Sequence, residues 1–143
     1  MGDPLNIRTE IGLKMLMNAH STAIMAKVGR VVGNAMSNVR AGNLKLIGRA
    51  TYLIKMQIDD VLRRGAKHLP HSEDERKEIS YEEANALLFD TTDFLCSFEA
   101  RNQESPVPIS IIRAIEAIRY GRFVSVKEAD KVYAEWGLEK YLY

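Results

Sequence analysis

The sequence predicts an all-α protein, a bundle-like arrangement of about six helices with no sheet. Apolar residues recur at intervals of three and four almost throughout, the spacing of a helix face. Ser-x-x-Glu boxes stand at Ser80–Glu83 and Ser125–Glu128, each ahead of an apolar-periodic run, as at a helix start. No stretch alternates apolar and polar residues in the manner of a half-buried strand.

The first helix begins near Asn6 or Thr9, with Ile11, Met15, Ala19, Thr22 and Met25 on one face. Leu13, Leu16, Met17 and Ile24 fall on other faces, so it is apolar nearly all round and needs a larger partner than one seam. A second helix is expected through Val31, Val32, Ala35, Met36 and Val39, stopped by "RAGN". On it Gly29 and Gly33, four apart, would let another backbone approach, and Asn34 and Asn38 would bond across that contact. Asn43 is the expected N-cap of a third helix carrying Ile47, Ala50, Ile54, Ile58, Val61 and Leu62, with Gly65 as its stop.

The polar stretch "KHLPHSEDERKEI" reads as a linker over 67–79, separating a helical region at 1–66 from a smaller helical unit at 80–143. In that unit Ser80 opens a helix that buries Ala84, Leu87, Leu88, Thr91, Leu95 and Phe98, and "QESPVP" breaks it. A shorter helix with Ile111, Ile112, Ile115 and Ile118 ends at Gly121. Ser125 opens the last, through Val126, Ala129, Val132, Tyr133 and Trp136, which Gly137 closes, leaving "LEKYLY" as a tail.

The composition, 46% hydrophobic and 27% charged over 143 residues, is that of one ordinary globular domain and excludes a disordered class. No apolar run reaches a membrane-spanning length, and "MGDPLNIRTE" lacks the layout of a signal peptide. With a single cysteine, these features lead to an expectation of a cytoplasmic protein without membrane contact. Cys96 reads as a small buried hydrophobe at helical spacing.

The net charge of +1 conceals a segregation. Seven basic residues and no acid lie between Ile11 and Ile58, leaving all nineteen acidic residues for the rest of the chain. Such a segment faces an anion, an acidic partner surface, or the acidic half of its own chain.

Known catalytic signatures are missing. No phosphate loop, nucleophile elbow or paired metal-ligand motif occurs. His68 and His71 sit in the linker with one other histidine and one cysteine far away, too few for a tetrahedral zinc site. His20, within the apolar first helix, reads as a hydrogen-bonded core histidine. Glu82 and Glu83 serve a helix N-terminus. Thus no catalytic residue, metal site or cofactor is assigned.

A candidate anion site does emerge. Lys14, Asn18, Ser21 and Thr22, at spacings of four, three and one, cluster over two helical turns, and hydroxyls beside an ammonium group can hold a phosphate. The competing reading has Ser21 and Thr22 bonding back to helix carbonyls and Lys14 solvated.

The stretch from Gly12 to Ala50, "GLKMLMNAHSTAIMAKVGRVVGNAMSNVRAGNLKLIGRA", resembles the C-terminal helical region of N-acetylmuramic acid 6-phosphate etherases and the related glucokinase regulatory proteins. The matching residues are Lys14, Asn18, Ser21 and Thr22, then Met25, Gly29, the Gly33–Asn34 pair, Met36 and Val39, then Asn43, Lys45, Leu46, Arg49 and Ala50. "ISYEEANALL" is similar to the family's small terminal helical unit, whereas "NIRTEIG" keeps only Arg8 of the family's basic lead-in.

The resemblance implies that these helices pack on a doubly wound sugar-isomerase-type domain, which binds the sugar phosphate and supplies the acid/base glutamate. That domain lies outside these 143 residues. It also implies kinship with carbohydrate metabolism and adds Asn43 and Lys45 to the ligand-binding candidates Lys14, Asn18, Ser21 and Thr22.

The expected function is a helical module of such a protein, supporting a sugar-phosphate site and a subunit interface, most simply as a homodimer. The complete enzymes are carbon–oxygen lyases, and the chain by itself is expected to be inactive. One alternative is a non-catalytic helical dimer that regulates or scaffolds a partner protein. Nucleic-acid binding through the basic segment ranks lower, because no aromatic residue but Tyr52 accompanies it.

Overall fold

A 21-residue helix α1 (Ile7–Lys27) leads the chain in the computed structural model, which describes residues 5–64, 78–97 and 105–143. It is followed by strands β1 (Val31–Val32) and β2 (Ala35–Met36) and by five helices: α2 (Leu44–Arg64), α3 (Tyr81–Ser97), α4 (Pro106–Tyr120), α5 (Val126–Trp136) and α6 (Leu138–Leu142). The described residues are therefore mainly α-helical with six helices, as the periodicity predicts, but their identities differ at two places.

The first difference is the expected second helix and the expected absence of a sheet. Residues 31–36 form an antiparallel hairpin, with Val31 opposite Met36 and Val32 opposite Ala35. Gly29 and Gly33 have φ of 73° and 59°, left-handed values that interrupt a right-handed helix. Gly33–Asn34 is a two-residue loop with glycine at its first position, a common hairpin connection, and β-branched valines precede it. The Gly29/Gly33 and Asn34/Asn38 helix faces thus do not exist. The second difference is the C-terminal tail. It folds as α6 and buries Leu138 and Leu142.

Helix starts follow local chemistry. Asn43 Oδ1 accepts the Leu46 N–H at 2.9 Å and caps α2. At α3 the Ser80 N–H donates to Glu83 Oε2 at 2.8 Å while Ser80 Oγ accepts the Glu83 N–H at 3.1 Å. Ser125 and Glu128 form the same reciprocal pair at α5. Gly121 and Gly137, both at positive φ, end α4 and α5. The Gly65 stop and nearly all of the 67–79 linker fall outside the described residues, as do Phe98 and the first two residues of "QESPVP", whose Ser105 caps α4 and whose prolines stand in its first turn.

α2 packs on both α3 and α4, and α5 packs on α4. The α2 stripe Ala50, Ile54, Ile58 and Val61 meets Ala84 and Leu88 of α3 and the isoleucines of α4 in one cluster. α4 is the central element, with Pro106 to Ile112 buried without interruption. Each such isoleucine contributes about 1.5–3 kcal/mol by leaving water. Hydroxyls buried in this core are bonded: Ser110 Oγ donates to Thr91 Oγ1 at 3.0 Å, and Thr51 Oγ1 reaches both the Ile47 carbonyl and Asn85.

α1 stands apart. None of its residues is buried, and Ile11, Leu13, Met15, Leu16, Met17 and Ile24 are each about half exposed or more. Apolar side chains are distributed around its whole circumference, and the described residues leave most of them open to solvent.

Candidate functional site

Lys14, Asn18, Ser21 and Thr22 lie in successive turns of α1, as their spacing predicts. All four are exposed. Ser21 Oγ donates to the Asn18 carbonyl at 3.0 Å, the local back-bond that competes with ligand binding. The side chains of Lys14 and Thr22 have no hydrogen-bond or ion-pair partner among the described residues. Asn43 spends its side-chain oxygen on the cap of α2. Lys45 is exposed in the first turn of α2.

Two other expected roles are corrected by burial. His20 is exposed rather than a core histidine, because no described residue covers this part of α1. Cys96 is likewise exposed, near the end of α3, rather than a buried hydrophobe. His68 and His71 lie outside the described residues. Among the described residues no three His, Cys, Asp or Glu side chains gather where they could hold a metal ion. Nor is any described helix long and apolar enough to cross a membrane.

A groove of about 630 Å³ lies elsewhere, bounded by the hairpin, one side of α2, the start of α3 and the C-terminal residue. The hairpin contributes Val32, Gly33 and Asn34, and Tyr81 and Tyr143 stand on other walls. α2 supplies Tyr52, Met56 and Gln57 together with a band of charge. None of the six ligand-binding candidates lines it.

The charges of the band neutralise one another. Lys55 Nζ donates to Asp59 Oδ2 at 2.6 Å and to the Ile79 carbonyl at 2.7 Å. Asp59 Oδ1 accepts the Ile79 N–H at 2.8 Å, which fixes the approach to α3. Arg64 Nε sits 2.8 Å from Asp60, and Arg63 pairs with Glu78. Tyr143 Oη donates to Asp60 Oδ2 at 3.1 Å. Burial, and after it the bond to the negatively charged Asp60, hold the Tyr143 phenol above its ordinary range.

Sequence reasoning did not find this groove. Asp60 and Tyr143 are 83 positions apart, and no periodicity indicates that the C-terminal tyrosine returns to α2. Gln57 carries the only local signal: an amide between the apolar positions Ile54, Ile58 and Val61.

No family model matches the chain, and no solved structure does. Curated proteins do. An N-acetylmuramic acid 6-phosphate etherase of Porphyromonas gingivalis is 32% identical over 93 residues, 65% of this chain and 27% of the relative. The corresponding etherase of Bacteroides thetaiotaomicron is 37% identical over 75 residues, 52% of this chain and 20% of the relative. N-acetylmuramic acid 6-phosphate etherase 1 of Enterococcus faecalis is 55% identical over 42 residues, 29% of this chain and 14% of the relative. The chain therefore resembles a segment of the N-acetylmuramic acid 6-phosphate etherases, as the pattern from Gly12 to Ala50 implies, and spans between 14% and 27% of the length of these curated relatives.

Proposed function

We propose that this chain is a helical module of an etherase-like protein with a sugar-isomerase-type domain, supporting a sugar-phosphate site and a subunit interface without being catalytic alone. The observation that carries this reading is α1, a helix apolar on all sides with no buried residue. A helix of that composition has its place inside a larger assembly. The similarity of the chain to segments of proteins named as etherases supports an etherase-like assembly.

Elimination of a lactyl ether needs a base for the α-proton and an acid for the leaving oxygen. The described residues offer no such pair facing a common space away from structural ion pairs, and lyase activity belongs to a complete protein. In this chain α1 serves two ends: it brings two copies together through its apolar faces, and it presents Lys14, Asn18, Ser21 and Thr22 to a phosphorylated sugar. Cytoplasmic placement accompanies this reading, because the substrate of the relatives carries a phosphate.

The test is thermal stability in glucosamine 6-phosphate, fructose 6-phosphate and inorganic phosphate, since a ligand bound only by the native state raises the melting temperature. A shift with the sugar phosphates that is lost in Lys14→Ala is expected. No shift at millimolar ligand, or an equal shift in Lys14→Ala, assigns these residues to structure alone.

A second reading, a non-catalytic dimer that regulates a partner protein, is supported by the same exposed helix. It predicts self-association without any response to sugar phosphates.

A further inference from the structure

Gln57 is 7% exposed, yet its side-chain amide makes no hydrogen bond to any described residue. It lines the groove between the hairpin, α2, α3 and Tyr143. Its amide nitrogen and oxygen are not among the fully buried unpaired side-chain atoms, so they stay in contact with solvent at the groove while the rest of the side chain is covered. The amide retains a donor and an acceptor at the side of a groove whose volume, about 630 Å³, lies within the range of small-molecule sites.

The surroundings define the ligand. Tyr52, Tyr81 and Tyr143 are each about half exposed around the groove, three aromatic rings available for stacking. Asn34 offers a second amide from the hairpin turn. Among the described residues an anion finds no free cation here, because Lys55 is bonded to Asp59, Arg64 to Asp60 and Arg63 to Glu78. A purely apolar ligand would leave the Gln57 amide unpaired.

The chemistry that satisfies both walls is an uncharged molecule with an apolar face and a rim of hydroxyl or amide groups. A pyranose has that form: its C–H face lies on an aromatic ring, and neighbouring hydroxyls accept from and donate to one carboxamide. We propose that this groove is a binding site for a neutral saccharide, with Gln57 as its polar anchor and the tyrosines as its platform. The site is independent of the sugar-phosphate reading, since no α1 residue lines the groove.

The full chain would be titrated with N-acetylglucosamine and, in parallel, with glucosamine 6-phosphate, following amide chemical shifts in solution. N-acetylglucosamine is expected to bind weakly and to move resonances of Gln57, Tyr52 and Asn34. Gln57→Leu, which keeps the side-chain bulk and removes the amide, is expected to weaken binding about tenfold, the equivalent of the hydrogen bonds lost. Tyr52→Ala, at a residue 59% exposed and outside the core, is expected to weaken binding several-fold while leaving the fold intact. Absence of shifts with N-acetylglucosamine at tens of millimolar, or shifts mapping elsewhere and unaffected in both variants, would overturn the proposal. Responses to glucosamine 6-phosphate confined to α1 bear only on the sugar-phosphate reading, so the two can fail separately.

Discussion

Ser105 holds Val39 by both of its backbone groups, across 66 residues of sequence. The Val39 N–H donates to Ser105 Oγ at 3.0 Å, and the hydroxyl donates to the Val39 carbonyl at 2.8 Å. The same oxygen caps α4 by accepting the Val107 N–H. Both residues are buried, so one hydroxyl fastens the extended segment after the hairpin to the start of the central helix. Removing it in Ser105→Ala abolishes a helix cap, about 1 kcal/mol, and strands two buried backbone groups at about 1–3 kcal/mol each. The expected loss is roughly 3 kcal/mol, measured by urea unfolding. A loss below ~1 kcal/mol would mean that water replaces the hydroxyl without cost.

The hairpin makes a second prediction. Gly33 has φ of 59°, and a Cβ built there meets no atom within 4 Å, so any cost of substitution is conformational rather than steric. Gly33→Ala is expected to destabilise by about 1 kcal/mol, and Gly33→Asn by less, because asparagine tolerates the left-handed region better. Equal stability of all three proteins in denaturant melts would contradict this backbone assignment.

These two sites also mark what the sequence could and could not disclose. The caps at Asn43, Ser80 and Ser125 and the stops at Gly121 and Gly137 were legible because they depend on residues within a few positions of one another. The apolar stripe of α2 was legible for the same reason. At residues 31–36 the apolar spacing suits either a helix or a short hairpin. The Gly-Asn loop decides in favour of the hairpin, a turn signal that outweighs periodicity over so few residues. The groove was not legible at all, since its walls come from four separate elements. Of the ligand candidates, the α1 spacing was right in geometry, but a spacing cannot say whether a helix face is covered.

Alkaline pH supplies a third prediction. Tyr141 Oη donates to Glu116 Oε1 at 2.9 Å, and its phenol is raised far above the ordinary value of 10.0, first by burial and then by that bond and the glutamate charge. Tyr120 and Tyr143 are raised as well, burial again leading. A raised phenol stays protonated in the fold while the unfolded chain ionises near pH 10. Stability is therefore fully present below that pH and falls as pH rises beyond it. Tyr141→Phe is expected to cost about 1 kcal/mol at neutral pH through the lost hydrogen bond and to flatten the alkaline decline. Identical alkaline profiles for the two proteins would refute this role of Tyr141.

The final prediction concerns α1. Leu13 and Met17 are 57% and 62% exposed and make no contribution to the core. Replacing both by glutamine in one variant removes apolar surface that the single chain does not bury. If α1 does nothing beyond forming a helix, the double variant should match the parent in every respect, because surface substitutions change stability by only about 0.5 kcal/mol. If α1 is the contact between two copies, the melting temperature of the parent should rise with protein concentration, since association stabilises the native state by mass action. That dependence should vanish in the double variant, with sedimentation shifting from dimer to monomer. A symmetric two-fold contact strengthens the effect, because each substitution is made twice in one interface. A parent protein that sediments as a monomer at high concentration would exclude the dimer and leave the apolar surface of α1 to a different protein or domain.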